Sequence, residues 1–328
     1  MPTILLTAPY MVPFIDRFSS VFKHFKLEMI IPHVNERLGE DDLLSFAGQY
    51  DGTICGDDRY TPKVIDLCIP RLKVISKWGT GIDSIDKEYA ESKGVKVMNT
   101  PNAFTLPVAD SVMGYILAFA RRQIWMDKAM KSGLWEKIPG RSLSECTLGV
   151  IGVGNIGKAV LRRARSFGMT LLGNDIIPIA TDFLVENGVQ MTDLKTLIQK
   201  SDFISVNCTL NPTSYHLINK ENLDWVKPDC ILINTARGPI IDEQALIAVL
   251  QNHGIAGAAL DVYEIEPLPE SSPLKKMDNV LLAPHNSNSS PSAWERVHWN
   301  SIRNLLIGLE VSVDDFERIK LTNQKKGE

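Results

Sequence analysis

The chain has 328 residues, of which 44% are hydrophobic, and a formal net charge of -4 at pH 7. This length predicts about two domains, and the hydrophobic fraction is typical of a globular protein. The charge disfavours a nucleic-acid-binding surface, because no dense cluster of Lys and Arg precedes the final QKKGE stretch. The five cysteines, which include no CxxC pair, disfavour a disulfide framework or a zinc site and predict a reducing, cytoplasmic location.

The first residues, MPTILLTAPY, lack the basic start and the long apolar run of a signal peptide. The most apolar helical stretch, Val112–Ala120, is far shorter than the roughly 20 residues that a membrane span needs. Both observations predict a protein without a membrane partner.

Short apolar runs alternate with helical patterns such as TPKVIDLCI along the first hundred or so residues. The runs lie at Thr3–Thr7, Gly52–Ile54, Val74–Ser76 and Val95–Met98. This alternation is typical of βαβ units, so we predict one small α/β domain with a parallel sheet.

A single long helix is predicted next, over residues 106–130. Its apolar positions are too many for one stripe, so such a helix is buried on several sides or packs against a second subunit. We interpret it as the crossover into a second domain and as a contact of a homodimer.

A denser α/β series runs from Leu148 to His285. Its apolar runs predict six strands of a doubly wound parallel sheet, namely LGVIGV, TLLGND, FISVNC, CILINT, AGAALDV and VLLAP. A further helix is predicted to begin at Ser290-Pro291, with the serine as N-cap and the proline in the first turn, and to pack back on the first domain.

A glycine-rich loop follows the first strand of this series. Gly152, Gly154 and Gly157, with Asn155 and Ile156 between the last two, form a GxGxxG sequence that leads into the helical stretch KAVLRRARSFG. The first glycine permits a tight turn, the second lets the backbone approach a pyrophosphate, and the third lets helix and strand pack closely. This context predicts a dinucleotide-binding loop.

Asp175 ends the next predicted strand, where it is either a loop cap or the acceptor of the ribose hydroxyls of a dinucleotide. A carboxylate at this position repels a 2′-phosphate, and no Lys or Arg follows until Lys195. The sequence therefore predicts NAD rather than NADP as the cofactor.

Three ionisable residues follow later strands of the same series: Arg237 after ILINTA, Glu266 after AALDVYEI and His285 after VLLAP. Taken singly, each has an ordinary alternative as a loop or turn residue. Together they lie where open α/β sheets bind ligands. A histidine can exchange a proton with a ketone oxygen, a carboxylate can orient the imidazole and raise its pKa, and an arginine can bind a substrate carboxylate. The trio predicts a 2-keto acid reductase.

Six stretches carry a further pattern: KWGTGIDSID, NTPNAFTLPVADS, GVIGVGNIG, INTARGPIIDEQAL, GAALDVYEIEPLP and LLAPHNS. As a set they resemble the D-isomer-specific 2-hydroxyacid dehydrogenase family, over about residues 50–310. The resemblance implies two Rossmann-like domains and a homodimer joined largely through the NAD domains. A doubly wound NAD domain, 105–287, would be inserted in a smaller flavodoxin-like substrate domain, 1–104 plus 288–320, with a polar tail at 321–328.

By matching position, the resemblance implies that Arg237 binds the substrate carboxylate, that His285 is the acid/base and that Glu266 supports His285. It implies that the backbone amides of Gly79-Thr80-Gly81 contact the substrate carboxylate, with Thr80 also near the nicotinamide. The residues implied to line the cofactor are Cys208, Thr235, Ala236 and Asp261, the last of which would reach the carboxamide.

Two loops depart from the pattern of the family, the first of them especially from relatives that resemble phosphoglycerate dehydrogenase. Asp57 and Asp58 stand in CGDDRYT, where several of those relatives carry basic residues, and two carboxylates oppose a phosphate. Lys77, beside the glycine turn, could attract an anion, but it is predicted to be solvated. The polar HNSNSS after the histidine leaves open whether Asn286 or Asn288 contacts a ligand.

The predicted function is reduction or oxidation between a small 2-keto acid and its 2-hydroxy acid, with phosphoglycerate dehydrogenase itself as an alternative. A non-catalytic, NADH-sensing corepressor is a second alternative, which the lack of a long interaction tail disfavours. A formate dehydrogenase-like enzyme is disfavoured because such relatives resemble a Gln–His pairing, whereas Glu266 stands here.

Overall fold

The computed structural model describes residues 1–324, which form two compact units. Unit 1 consists of Met1–Phe104 and the segment that begins at Ser290, and unit 2 consists of Thr105–Ser289. Helical structure reaches Gln324, so the predicted polar tail at 321–328 begins in a helix, and its residues 325–328 lie outside the described part of the chain.

The first part of unit 1 contains β1 (Thr3–Leu6), a 3₁₀ helix (Val12–Phe18), α1 (Ser19–His24), β2 (Glu28–Ile30), α2 (Glu40–Leu44), β3 (Gly52–Cys55), α3 (Pro62–Cys68), β4 (Val74–Lys77), α4 (Lys87–Ser92) and β5 (Lys96–Met98). Unit 2 contains α5 (Thr105–Ala120), α6 (Gln123–Lys131), β6 (Thr147–Ile151), α7 (Asn155–Ser166), β7 (Thr170–Asn174), α8 (Thr181–Asn187), β8 (Val189–Met191), α9 (Leu194–Lys200), β9 (Phe203–Val206), α10 (Lys220–Leu223), β10 (Ile231–Asn234), α11 (Glu243–Gln251), β11 (Gly257–Leu260) and β12 (Val280–Leu282), with 3₁₀ turns at Leu143–Glu145, Gly238–Ile240 and Pro273–Lys276. The chain then returns to unit 1 with α12 (Pro291–Gly308) and α13 (Phe316–Gln324).

The sheet of unit 1 is parallel, in the order β2-β1-β3-β4-β5, which is the order of flavodoxin-like sheets. The four predicted runs are strands of this sheet, and the edge strand β2 is an addition. Its three residues are not fully buried, so they leave no apolar run in the sequence. The predicted α/β class is confirmed.

Helix α12 closes this sheet as predicted. The side chain of Ser290 accepts the backbone N–H of Ala293, and Pro291 occupies the first turn. The helix packs on β3, β4 and β5. The contact is close, because a Cβ on Gly308 would lie 2.2 Å from Cγ2 of Val74.

The single helix predicted over 106–130 is wrong, since the structure has two helices there. Arg122, between α5 and α6, has φ +54°. This left-handed conformation interrupts the right-handed helix. The carbonyl of Ala120 accepts the backbone N–H of Arg141 at 2.8 Å instead of continuing the helical ladder. A hydrogen bond between residues so far apart in the chain has no trace in the local periodicity.

The sheet of unit 2 is parallel and has seven strands among the described residues, in the order β12-β11-β10-β9-β6-β7-β8. Six were predicted, and the short edge strand β8 was not. The strand order of the sheet is that of a doubly wound dinucleotide-binding sheet extended by one strand. The direction of strand addition reverses between β6 and β9, so the ligand crevice is expected at their carboxyl ends. In residues 1–324, no helix combines the length and the apolar character needed to cross a bilayer.

Candidate active site

The glycine loop lies at the reversal point of the unit 2 sheet, directly after β6. Gly152 has φ +88°, and a Cβ there would lie 2.4 Å from the backbone nitrogen of Cys208. A Cβ on Gly157 would lie 2.1 Å from the carbonyl oxygen of Gly152. The first and third glycines are therefore required by packing within the protein itself.

Gly154, in contrast, is not required by packing within the protein. It is the N-cap residue of α7, whose first turn holds Asn155 and Ile156, and a Cβ on it would meet no protein atom within 4 Å. The second glycine thus leaves space above a helix start whose free N–H groups favour an anion. This space fits the pyrophosphate of a dinucleotide.

Asp175 follows β7 and stabilises the glycine loop. Its Oδ2 accepts the backbone N–H of Val153 at 2.7 Å, and its Oδ1 accepts that of Ile177 at 2.9 Å. The loop-cap role is therefore present. Each carboxylate oxygen has a further lone pair, so the same residue can also accept a hydroxyl group.

Cys208, Thr235 and Ala236 follow β9 and β10, and so lie at the carboxyl edge of the sheet. Burial raises the pKa of the Cys208 thiol to about 11, so this side chain is a neutral group at physiological pH. The Oγ1 atom of Thr235 is buried without a hydrogen-bond partner in the described part of the chain. A buried hydroxyl of this kind fits a site that a ligand completes.

Asp261 follows β11 and holds the loop that carries the histidine. Its Oδ1 accepts the backbone N–H of Asn286 at 2.7 Å, and its Oδ2 accepts that of Ser287 at 2.9 Å. Its carbonyl oxygen accepts the N–H of His285 at 2.8 Å. The carboxamide contact implied by the resemblance stays a prediction, whereas the support of the His285 loop is a feature that the sequence did not reveal.

His285 and Glu266 form a side-chain pair. Nδ1 of His285 lies 3.0 Å from Oε2 of Glu266, and Oε1 of Glu266 accepts the backbone N–H of Tyr263 at 2.9 Å. Both side chains are about four-fifths buried, with 19% and 18% exposed. His285 has φ +51°, a left-handed conformation that the hydrogen bonds to Asp261 hold in place.

Arg237 follows β10 in a loop that two unpredicted residues shape. The side chain of Asn234, which is 1% exposed, donates to the carbonyl of Arg237 and accepts the N–H of Ala236. Gly238 packs against the Tyr263-Glu264 peptide, where a Cβ would lie 1.9 Å from the carbonyl carbon of Tyr263. A polar residue at the end of an apolar run, ILIN, was the signal for Asn234. The role of Gly238 has no signal in the sequence.

The turn Gly79-Thr80-Gly81 belongs to unit 1 and follows β4. Gly79 has φ +123°, and its carbonyl accepts the N–H of Thr100 at 2.8 Å. The hydroxyl of Thr80 donates to the carbonyl of Thr100 at 2.9 Å, and the carbonyl of Thr80 accepts a hydrogen bond from Nδ2 of Asn99. The turn is thus fixed by the segment after β5. Its contact with a substrate carboxylate stays a prediction.

The prediction that Lys77 is solvated is wrong. Its side chain is only 5% exposed, and its Nζ lies 2.9 Å from Oδ1 of Asp57. Asp58 is fully buried and accepts hydrogen bonds from the hydroxyl of Thr7 and the backbone N–H of Leu38. The two aspartates therefore differ, since Asp58 supports the loop while Asp57 neutralises a buried ammonium group.

Within residues 1–324, no three His, Cys, Asp or Glu side chains converge as the ligands of a metal ion would. All five cysteines are free thiols.

Comparison with known proteins identifies the family. A family model described as D-isomer specific 2-hydroxyacid dehydrogenase, NAD binding domain, matches residues 113–287. A glyoxylate reductase of Thermofilum pendens is 40% identical over 277 residues, which cover 82% of this chain and 81% of that protein. A hydroxypyruvate reductase of Thermotoga maritima is 38% identical over 268 residues, which cover 80% of this chain and 86% of that protein.

A solved structure has the same fold. It is a D-lactate dehydrogenase from Aquifex aeolicus in complex with NAD and lactic acid, which superposes with a TM-score of 0.80 and 27% identity. The match covers 99% of this chain and 98% of that one. The chain belongs to the D-isomer-specific 2-hydroxyacid dehydrogenase family, and it is an NAD-dependent oxidoreductase that acts on the CH–OH group of its donors.

Proposed function

We propose that the protein reduces a small, unphosphorylated 2-keto acid to its 2-hydroxy acid, with His285 as the acid/base. The observation that carries this proposal is the 3.0 Å contact between Nδ1 of His285 and Oε2 of Glu266 at the carboxyl edge of a dinucleotide-binding sheet. Arg237 follows the strand next to the one that precedes Glu266, at the same edge. The names of the two reductases described above agree with this substrate class.

Bound NADH supplies the hydride for the carbonyl carbon. Glu266 fixes Nδ1 of His285, so Nε2 is the nitrogen that donates a proton to the carbonyl oxygen as it gains negative charge. In the reverse direction the same nitrogen accepts the hydroxyl proton. The guanidinium of Arg237 binds the substrate carboxylate and orients the keto group.

The backbone amides of Gly79, Thr80 and Gly81 are proposed to bind the same carboxylate. The buried ion pair between Lys77 and Asp57 supports an unphosphorylated substrate, because the ammonium group of Lys77 already has an anionic partner. The residues proposed to line the cofactor are those of the glycine loop together with Thr80, Asp175, Cys208, Thr235, Ala236 and Asp261.

The test is NADH oxidation with glyoxylate, hydroxypyruvate, pyruvate, a bulkier 2-keto acid and 3-phosphohydroxypyruvate. We expect turnover of at least one unphosphorylated acid and a much lower kcat/KM for the phosphorylated one. Preference for the phosphorylated acid would favour phosphoglycerate dehydrogenase. NADH binding without turnover of any acid would favour the corepressor-like alternative and sink the enzymatic proposal.

A homodimer in the cytoplasm is part of the proposal. The α5–α6 region and the segment after it expose large apolar side chains, which are Leu106, Ile124, Met130, Leu134 and Trp135. Apolar groups concentrated in one stretch of chain are typical of a subunit interface.

A further inference from the structure

A second histidine–carboxylate pair lies beside the first one in unit 2. Nε2 of His216 lies 2.9 Å from Oε1 of Glu264, which precedes Glu266 by two residues. We call Tyr263–Glu266 the carboxylate segment, because it carries the acidic partners of both His216 and His285. The proposed reaction uses only one of these two pairs.

Glu243, the first residue of α11, holds this segment from the other side. Its Oε2 accepts the backbone N–H of Glu264 at 3.1 Å, and Oε1 of Glu264 accepts the backbone N–H of Glu243 at 3.2 Å. The N–H of Tyr263 ends on Glu266 itself. Two successive amides of the carboxylate segment are therefore fixed by carboxylates, which leaves the chain before Glu266 little freedom.

Glu243 is also placed to act on the pair electrostatically. Burial raises the pKa of its carboxyl group, and the charges of Glu264 and Glu266 raise it further. The titratable groups that face it are these two carboxylates from the carboxylate segment, with His216 behind Glu264. Asp242, the N-cap residue of α11, uses its side chain to accept the backbone N–H of Ala245. The charges of Glu243 and Glu266 thus interact, and Glu266 contacts the imidazole of His285.

We propose that Glu243 is a positioning residue for the Glu266–His285 pair. Through its paired hydrogen bonds with Glu264 it fixes the backbone that carries Glu266, and its negative charge favours the protonated form of His285. This role sets the pH range in which the acid/base works, and its effect on turnover rests on the proposed function.

Two variants separate the two parts of the role. Glu243→Gln keeps an acceptor oxygen for the N–H of Glu264 but removes the charge, whereas Glu243→Ala removes both. Gln244→Ala changes the next residue, which is exposed, and is the matched control. Thermal unfolding of each variant identifies any loss of folding, and NADH affinity, measured by fluorescence, identifies any change in the cofactor site.

The first measurement is the pH profile of kcat/KM for keto acid reduction. We expect Glu243→Gln to keep the plateau within about threefold and to move the basic limb down by about half to one pH unit, because His285 loses its proton more easily. We expect Glu243→Ala to lower the plateau by about tenfold or more. NADH affinity stays unchanged in both, and Gln244→Ala matches the wild type. Wild-type profiles for both Glu243 variants would overturn the proposal.

The second measurement needs no turnover. The His285 ring resonance is followed by NMR against pH and is assigned with His285→Asn. Its titration is expected to move to lower pH in Glu243→Gln, and an unmoved titration would overturn the electrostatic part. If the wild type turns over no keto acid yet this shift appears, the proposed function fails while the role of Glu243 in the pair stands.

Discussion

His285 is fixed at both its side chain and its main chain: Nδ1 lies 3.0 Å from Oε2 of Glu266, and the backbone N–H of His285 donates to the carbonyl of Asp261 at 2.8 Å. The side chain and the main chain are thus fixed by two residues that both follow β11. An acid/base fixed in this way loses little entropy when substrate binds.

Substitution of either member of the pair is expected to reduce turnover without loss of the cofactor. His285→Ala should lower kcat for keto acid reduction by about 100-fold to 10,000-fold, because the proton donor is removed. Glu266→Gln should have a smaller effect, since the amide can still contact Nδ1. Steady-state kinetics and NADH fluorescence titration measure both. A His285→Ala enzyme with more than a tenth of the wild-type kcat would contradict the acid/base role.

Asp175 is expected to control the choice between NADH and NADPH. Asp175→Ala removes the charge that opposes a 2′-phosphate, so the preference for NADH in kcat/KM should fall by about tenfold or more. Because Asp175 also accepts the N–H of Val153, the KM for NADH should rise as well. Asp182→Ala, which changes an acidic residue in α8, is the control. An unchanged cofactor preference would count against the ribose contact.

Gly238 is expected to tolerate no side chain. A Cβ there would lie 1.9 Å from the carbonyl carbon of Tyr263, so Gly238→Ala must displace the backbone that leads to Glu266. We expect a fall of about 3 kcal/mol or more in the free energy of unfolding, or no folded protein. Gly114→Ala, in helix α5 with no atom within 4 Å of the new Cβ, should instead stabilise by about 0.5 to 1 kcal/mol. Equal stabilities in urea titrations would show that the contact around Gly238 relaxes freely.

His298 is expected to make the stability of unit 1 sensitive to acid. Its Nδ1 accepts the indole N–H of Trp78 at 2.9 Å, and burial lowers its pKa from 6.5 to about 4. The unfolded chain binds this proton near pH 6.5, whereas the folded chain binds it only near pH 4. The contribution of neutral His298 to the free energy of unfolding is fully present above pH 6.5. It is lost as pH falls from 6.5 to about 4, by up to roughly 3 kcal/mol.

The comparison uses His298→Gln, which keeps an acceptor for Trp78 but does not titrate. Urea unfolding at pH 7 and pH 4 should show a smaller acid loss in the variant than in the wild type. The same loss in both proteins would assign the acid sensitivity to other groups.

Trp135 is expected to lie in a subunit contact. It is 84% exposed, and Trp135→Glu should convert the proposed dimer into a monomer in light scattering after size exclusion. Val185→Glu changes a similarly exposed apolar residue in α8 and should leave the dimer intact. A wild type that is monomeric would contradict the proposed homodimer.

Much of the fold and the placement of the site residues followed from local patterns. The strands that precede Arg237 and Asp261, β10 and β11, are fully buried runs of four residues. The strand before His285, β12, is only partly buried, but it lies in the apolar run VLLAP. The edge strands β2, EMI, and β8, VQM, have three residues each and include a polar residue, so neither gives an apolar run like the VLL of β12. Edge strands also pair on one side only, so their sequences are less constrained.

The errors concern contacts between residues far apart in the chain. The burial of Lys77 has no local signal, because its partner, Asp57, follows another strand and only the parallel pairing of β3 with β4 brings the two residues together. The approach of Gly238 to Tyr263 is a distance between two loops, which no window of sequence records. Motifs predict which residues follow the strands at the carboxyl edge, whereas the hydrogen bonds that fix their orientation join residues that no single motif contains.

Unit 2 is one continuous stretch of chain, whereas unit 1 needs α12, which follows unit 2 in the chain and packs on β3, β4 and β5. During synthesis the central unit can therefore acquire its complete core while the first hundred or so residues still lack the helix that covers their sheet. The order of folding is then expected to oppose the order of synthesis, and the nascent amino-terminal sheet is the part of the molecule most in need of protection from aggregation.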